Sequence, residues 1–422
     1  MMLDGFAGPG GWEEGARIAG YTSPILGIDI DDVACRTAIA AGHARVCADV
    51  ATYPLVQLGG LVTLVVGSPP CQGFSPAGLQ LGKLDAPNCH ALADRMAGGD
   101  DTLDWCEWHD PRSPLVCEPV RWVRELRPTY IVLEQVPGVL PLWETIARIY
   151  RRWGYSVWTG VLSAEEYGVP QTRKRAILMA RRDGERATPP PATHLRWPAT
   201  RLAAPDLFGG EQLPPPVSMA EALDYQLGDQ SWIRMGDRDR ATVRAIDDPA
   251  PTVLVGSRKN PNFWHGDIAL MSAGQTGEGR PRRADAAPAA TITGKGTAAW
   301  VVRTMNTPRG ATGRQERTLD APSPTVVGTS CAGWEFDDLN TDTPSRQATV
   351  QEVAILQSFR GDYPWQGSKT KQHEQVGNAI PPRLAAHIIG HLLTIPGHRQ
   401  RINDAYRRTP VSVVAELGEA AC

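Results

Sequence analysis

Leu61-Val62-Thr63-Leu64-Val65-Val66-Gly67-Ser68-Pro69-Pro70-Cys71-Gln72-Gly73-Phe74-Ser75 is the stretch that decides the fold. Its first residues, Leu61–Val66, form a short apolar run bounded by Gly and Pro, the pattern of a strand buried in a parallel sheet. Gly67-Ser68-Pro69-Pro70 then turns the chain sharply and presents one thiol, Cys71, at the sheet's carboxyl edge. Ligands and chemistry collect at that edge in open α/β sheets. Taken alone, Cys71 is either an inert small hydrophobe or a nucleophile.

Working outward, short apolar strands alternate with helical stretches across residues 1–182. The strands are Ile25–Ile28, Leu61–Val66, Tyr130–Leu133 and Ala176–Met179, with a helix from Ile146 to Trp153 between the last two. This predicts a doubly wound, Rossmann-like α/β domain. Past Arg181 the composition changes: Pro189-Pro190-Pro191 and Pro214-Pro215-Pro216 flank a polar stretch rich in Gly, Pro, Thr and Arg. Residues 183–345 therefore read as a smaller, irregular, β-rich domain. Within it Arg244–Val253 recurs as Arg317–Val326, with a weaker copy at Arg283–Ile292, each a Pro-stiffened turn feeding a Thr-Val or Thr-Ile strand. Helical periodicity returns at Thr349–Phe359 and Arg383–Leu393, the latter opened by Pro381-Pro382. Residues 346–395 thus return to the first domain, and 396–422 read as a loosely held tail.

The chain has 422 residues, 42% of them hydrophobic, and a formal net charge of −3. It carries no apolar run approaching the roughly 18 residues of a membrane span. The first strand follows Met1 almost at once, which leaves no room for a targeting signal. Its 8 cysteines are scattered without a paired framework, as expected in a reducing cytosol. Cys89, His90, Cys106 and His109 invite a zinc reading, but their spacing matches no standard finger. They read as ordinary loop residues, and no metal is expected.

Phe6-Ala7-Gly8-Pro9-Gly10-Gly11-Trp12 is a Gly-rich turn that lets a ligand approach the backbone closely. It lacks the dinucleotide spacing, and Glu13 and Glu14 near the helix start disfavour a phosphate. A nucleoside-like cofactor without phosphates fits better. Asp29 closes the second strand, where an acid can hold ribose hydroxyls, and Asp49 follows the third. Glu134 ends the strand Tyr130–Leu133 on the same edge as Cys71, where a carboxyl can donate or share a proton. Gln171-Thr172-Arg173-Lys174-Arg175 precedes the strand Ala176–Met179, and strand alternation sends Arg173 and Arg175 to one side.

These segments, in this order, resemble the cytosine-C5 DNA methyltransferases of prokaryotic and phage type. The resemblance rests on Phe6–Gly11, Pro69-Pro70-Cys71-Gln72, Glu134-Gln135-Val136, Gln171-x-Arg173-x-Arg175, Leu356-Gln357-Ser358-Phe359 after Glu352, and Gln375-Val376-Gly377-Asn378-Ala379-Ile380-Pro381-Pro382. It implies that Cys71 adds to C6 of cytosine and that Glu134 holds and protonates N3. Arg173 would bind the base carbonyl and Arg175 support it. S-adenosyl-L-methionine would lie against Phe6, Gly8, Gly10, Gly11 and Pro70, its ribose on Asp29 and its adenine near Ile30, Asp49 and Val50. Asn378 would close that pocket. The implied substrate is a cytosine flipped out of double-stranded DNA, read by the second domain.

Two residues depart from the family pattern. Gln135 stands where Asn is usual, and Ile30 where an aromatic residue often stacks on adenine. The loop Phe74–Pro111 is also long and is expected to move over DNA. The implied setting is the cytoplasm of a prokaryotic or phage-infected cell, as a monomer, in restriction–modification or DNA protection with a separately acting endonuclease. The alternatives are an RNA cytosine-5 methyltransferase and a catalytically silent DNA-binding protein.

Overall fold

The computed structural model describes residues 1–70, 73–74, 81–103, 108–197, 213–223 and 349–407, together with the backbone of short strands between 231 and 347. The strands β1 (Met2–Gly5), β2 (Ile25–Asp29), β3 (Arg45–Cys47), β4 (Leu64–Gly67), β5 (Tyr130–Gln135), β6 (Ser156–Ser163) and β7 (Lys174–Arg181) form one sheet in the order β3-β2-β1-β4-β5-β7-β6. β1 to β5 pair in parallel, and β7 runs antiparallel to both neighbours, β5 and β6. The chain order reverses between β1 and β4, so the switch point of the sheet lies between the Gly-rich turn and the Pro69-Pro70 turn.

Alternation along the strands assigns each side chain to a face. Ile131, Leu133, Leu178 and Ala180 pack on one side with α3 (Leu81–Ala97), α4 (Glu118–Leu126) and α5 (Leu140–Arg152). Val132, Ile177 and Met179 pack on the other with α1 (Gly11–Ala19) and α9 (Pro382–Leu392). In α5 the buried Leu142, Trp143, Ile146, Ile149 and Tyr150 recur at helical spacing. α2 (Asp32–Ala40) starts where the Asp31 carboxylate accepts the N–H groups of Val33 and Ala34. α7 (Val350–Leu356) opens on a capping box between Thr349 and Glu352.

The structure moves several sequence-based boundaries. β4 begins at Leu64, and Leu61 is exposed. β5 runs through Glu134 to Gln135. Half of the expected loop Phe74–Pro111 is the helix α3, whose Cys89, Leu92, Ala93 and Met96 enter the core. Its apolar residues, at intervals of three and four, cover the sheet as any amphipathic helix does. The expected loose tail includes α10 (His398–Arg407), anchored by the buried Ile402 and by the Tyr406 hydroxyl, which donates to the Ser358 carbonyl. Residues just past 182 stay on the first body: the N–H groups of Thr193 and His194 donate to the Glu166 carbonyl.

In the region expected to be β-rich, β8 (Ser231–Met235), β9 (Thr242–Ala245), β10 (Phe263–Gly266), β15 (Ala332–Trp334) and β16 (Arg346–Gln347) form a second sheet. Separate two-stranded ribbons pair β11 (Ala269–Leu270) with β12 (Arg282–Arg283) and β13 (Val301–Thr304) with β14 (Gln315–Thr318). The arginine opening each repeat copy, Arg244, Arg283 or Arg317, lies on one of these strands. The strands expected after the turns lie outside the described residues.

Candidate active site

Five loops meet at the carboxyl edge of the sheet. The first leaves β1 through Phe6, a non-glycine residue at φ 59°, a conformation that persists only where its surroundings enforce it. The Gly8 N–H donates to the Asp29 carboxylate at 2.7 Å, and the Asp31 N–H donates to its other oxygen at 2.8 Å. Burial pushes the Asp29 carboxyl up, against those two donors, which pull it down. Each oxygen keeps a lone pair for a ligand hydroxyl. A Cβ at Gly8 would meet no atom within 4 Å, so there is open room above the turn. Ile30 is 70% exposed and offers its apolar surface at the same edge. Asp49 is exposed and Val50 buried, with the Val50 carbonyl held by the Arg121 guanidinium.

Beneath the turn lies a buried ionic cluster that the sequence reading missed. Arg45 and Glu13 pair at 2.8 Å with both side chains fully buried, and Asp4 is buried beside them. Burial, reinforced by Glu13, pushes the Asp4 carboxyl well up. The available signal was a charged residue in the otherwise apolar strand Met2–Gly5.

At β5 and β7 the structure brings Glu134 and Arg175 together. Glu134 is buried and pairs with the Arg175 guanidinium at 2.6 Å. Glu134 stands opposite Ile177 in the β5–β7 register, which makes Arg175 its diagonal neighbour on the same face. The Gln135 amide donates to the Pro69 and Pro70 carbonyls, both at 3.0 Å. The longer amide therefore spans the turn that leads to Cys71. Cys71 and Gln72 themselves lie outside the described residues.

Arg173 goes elsewhere. It precedes β7, so strand alternation does not fix it, and only 1% of its surface is exposed. Its guanidinium donates to the carbonyls of Gly377 at 3.0 Å and Ala379 at 3.1 Å. Arg175 thus reaches Glu134, and Arg173 clamps the end of α8 (Lys369–Asn378). Gln171 donates to the Gln357 side chain, and Gln357 in turn to the Ala379 carbonyl, both at 2.7 Å. Two residues past the exposed Asn378, the Ile380 carbonyl lies only 2.5 Å from where a Cβ on Gly11 would stand. The glycine is what lets the far end of the chain close against the first turn.

The zinc candidates are engaged separately. Cys89 contacts the Ser113 carbonyl, His90 bonds the Thr145 hydroxyl, and His109 pairs with Asp85. Cys106 lies outside the described residues, and no cluster that could hold a metal occurs among those described.

The residue pattern of the C-5 cytosine-specific DNA methylases matches residues 1–91 and 106–394. The chain is 27% identical over 401 residues to the Type II methyltransferase M1.HphI of Haemophilus parahaemolyticus, covering 91% of this chain and 84% of that protein. It is 28% identical over 420 residues to the Type II methyltransferase M.XorII of Xanthomonas oryzae pv. oryzae, covering 93% and 84%. The crystal structure of the S. pombe Dnmt2 methyltransferase superposes with a TM-score of 0.51 at 15% identity, over 93% of this chain and 98% of that one, and shares its fold.

Proposed function

Because the chain belongs to the family of C-5 cytosine-specific DNA methylases, we propose that Cys71, Glu134 and Arg175 methylate a flipped-out cytosine through a covalent adduct. The enzyme is a DNA cytosine-5 methyltransferase that uses S-adenosyl-L-methionine. No helix among the described residues is long and apolar enough to cross a membrane.

The first turn suits that cofactor. Asp29 offers two carboxylate oxygens to ribose hydroxyls, Ile30 an uncovered apolar face to adenine, and Gly8 open room. We assign Phe6, Gly8, Gly10, Gly11, Asp29, Ile30, Asp49, Val50, Pro70 and Asn378 to its binding. When bound, the cofactor supplies an electrophilic methyl group.

C5 of cytosine is a poor nucleophile. Addition of the Cys71 thiolate at C6, with a proton from Glu134 to N3, yields an enamine whose C5 takes up the methyl group. Loss of the C5 proton to a base and expulsion of the thiolate then restore the ring. Arg175, paired with Glu134, would orient that carboxylate toward the base. Arg173 is a positioning residue that holds the chain's return to the cofactor edge. The observation that carries this reading is the buried Glu134–Arg175 pair beside the Pro69-Pro70 turn held by Gln135.

We assign target recognition to the region 183–345 and a role in restriction–modification, with a separately acting endonuclease and a monomeric enzyme. The Type II names of the relatives support that role. The mechanism is tested with duplex DNA carrying 5-fluorocytosine, whose fluorine cannot leave as a proton. A covalent complex should accumulate with the wild type and be absent with Cys71→Ala. A complex that persists in the variant contradicts the nucleophile assignment.

A further inference from the structure

A cavity of about 290 Å³ lies between α1, α6 (Met219–Leu223), α7, α9 and α10. One side chain in its wall is out of balance. Arg383 is 8% exposed, yet no carboxylate among the described residues comes within ion-pair distance of it. One terminal nitrogen donates to the Gly168 carbonyl at 2.6 Å, and the guanidinium stacks 4.7 Å over the Tyr406 ring. Its Nε is buried without a hydrogen-bond partner among the described residues.

The other cations of the wall are matched. Arg17 pairs with Glu14, and Arg360 with Asp362 at 3.5 Å. Glu221 sits at the rim, exposed to solvent. A buried guanidinium without a counter-charge is costly, and a bound anion removes that cost. Burial holds the Arg383 guanidinium below its ordinary range, and Tyr406 and Glu221 offset it only in part. Arg383 also stands in the first turn of α9, where the positive end of the helix dipole adds to the same preference. Ser358 beside it is held at φ 67°, its hydroxyl accepting the Arg383 N–H and its carbonyl the Tyr406 hydroxyl.

We propose that this cavity is a second ligand site, taking a small carboxylate with an apolar or aromatic body. The Nε edge of a guanidinium presents planar, parallel donors that fit a carboxylate. Ile18, Val217, Ile355 and Phe359 supply the apolar wall, and the volume is at the small end of ligand pockets. Tyr406 belongs to α10, past residue 394 where the family match ends. Ala405 and Tyr406 thus add to the cavity a side that lies past the family match.

The test is a titration of the full chain with 4-fluorobenzoate followed by fluorine NMR. The neutral amide and inorganic phosphate serve as separate arms. Saturable binding of 4-fluorobenzoate at millimolar concentration is expected, with no binding of 4-fluorobenzamide. Arg383→Gln should weaken binding at least about tenfold, the worth of a charge-assisted pair. Should that variant fail to fold, Val217→Trp decides, since it fills the cavity, keeps Arg383 and should abolish binding. No saturable binding to the wild type, unchanged binding to Val217→Trp, or equal binding of the amide each overturns the proposal. Binding of phosphate without 4-fluorobenzoate overturns the carboxylate assignment.

Discussion

Replacing Arg175 and Arg173 one at a time by Met separates a residue of the reacting site from one that holds the chain in place. Arg175 and Glu134 are each about nine-tenths buried, with only 7% of either side chain exposed, and they pair at 2.6 Å. Arg175→Met leaves the carboxylate buried and unmatched, a loss of about 3–5 kcal/mol. Expressed in the transition state, this slows methyl transfer by about 10²–10⁴-fold. Arg173→Met removes two charge-assisted donors, to Gly377 and Ala379, each worth about 1.5–3 kcal/mol. That loss falls on the closure of the chain's two ends, so it should lower Tm and weaken cofactor binding. The assay is single-turnover transfer of a labelled methyl group at saturating cofactor and DNA, beside a melting curve and a cofactor titration for each variant. The expected pattern is slow chemistry with near-normal cofactor affinity for Arg175→Met, and a lowered Tm with weakened cofactor binding for Arg173→Met. An Arg173→Met enzyme that melts and binds cofactor normally but has lost transfer, beside a fully active Arg175→Met enzyme, refutes the proposed roles of the two arginines.

Gly27→Ala should unfold the base of the cofactor edge, because the added Cβ would stand 1.9 Å from Arg45 Nη1 and break its buried pair with Glu13; a stability loss of about 3–5 kcal/mol is expected in denaturant unfolding. Gln135→Ala frees the Pro69 and Pro70 carbonyls, so trapping of 5-fluorocytosine DNA should slow by about 10–100-fold, about 1.5–3 kcal/mol, while cofactor affinity holds. Burial pushes Glu165 up to about 7. Its folded value lies above its unfolded one, so its contribution to stability is complete below about 4.5 and is lost as pH rises through about 7. Glu165→Gln should therefore raise Tm relative to the wild type at pH 8, with the gain fading toward pH 5. His387 behaves oppositely: burial lowers it to about 3, so its contribution is present above about 6.5 and lost on acidification.

The sheet and the site edge were legible because both rest on short-range signals. The runs at Ile25–Ile28 and Tyr130–Leu133 carry strand chemistry in their own residues, and the turns at Gly8 and Pro69-Pro70 are marked by Gly and Pro. Glu134 was placed correctly on the carboxyl edge because its strand was. The contacts of Arg173 and Arg175 were not legible. They depend on where β7 begins and on two carbonyls more than two hundred residues away. The helix α3 was hidden by Pro87 and by glycines around a modest apolar pattern, and its identity comes from packing against α5. The Asp4–Glu13–Arg45 cluster was invisible for a similar reason: only the register of β1 with β2 brings Asp4 beside Gly27, over which Arg45 lies.

Bisulfite sequencing of DNA from cells expressing the wild type or Cys71→Ala tests the central claim most directly. The account predicts protected cytosines in one short sequence context with the wild type and none with the variant. Protection that survives in Cys71→Ala, or no protection from a folded, cofactor-binding wild type, would contradict it.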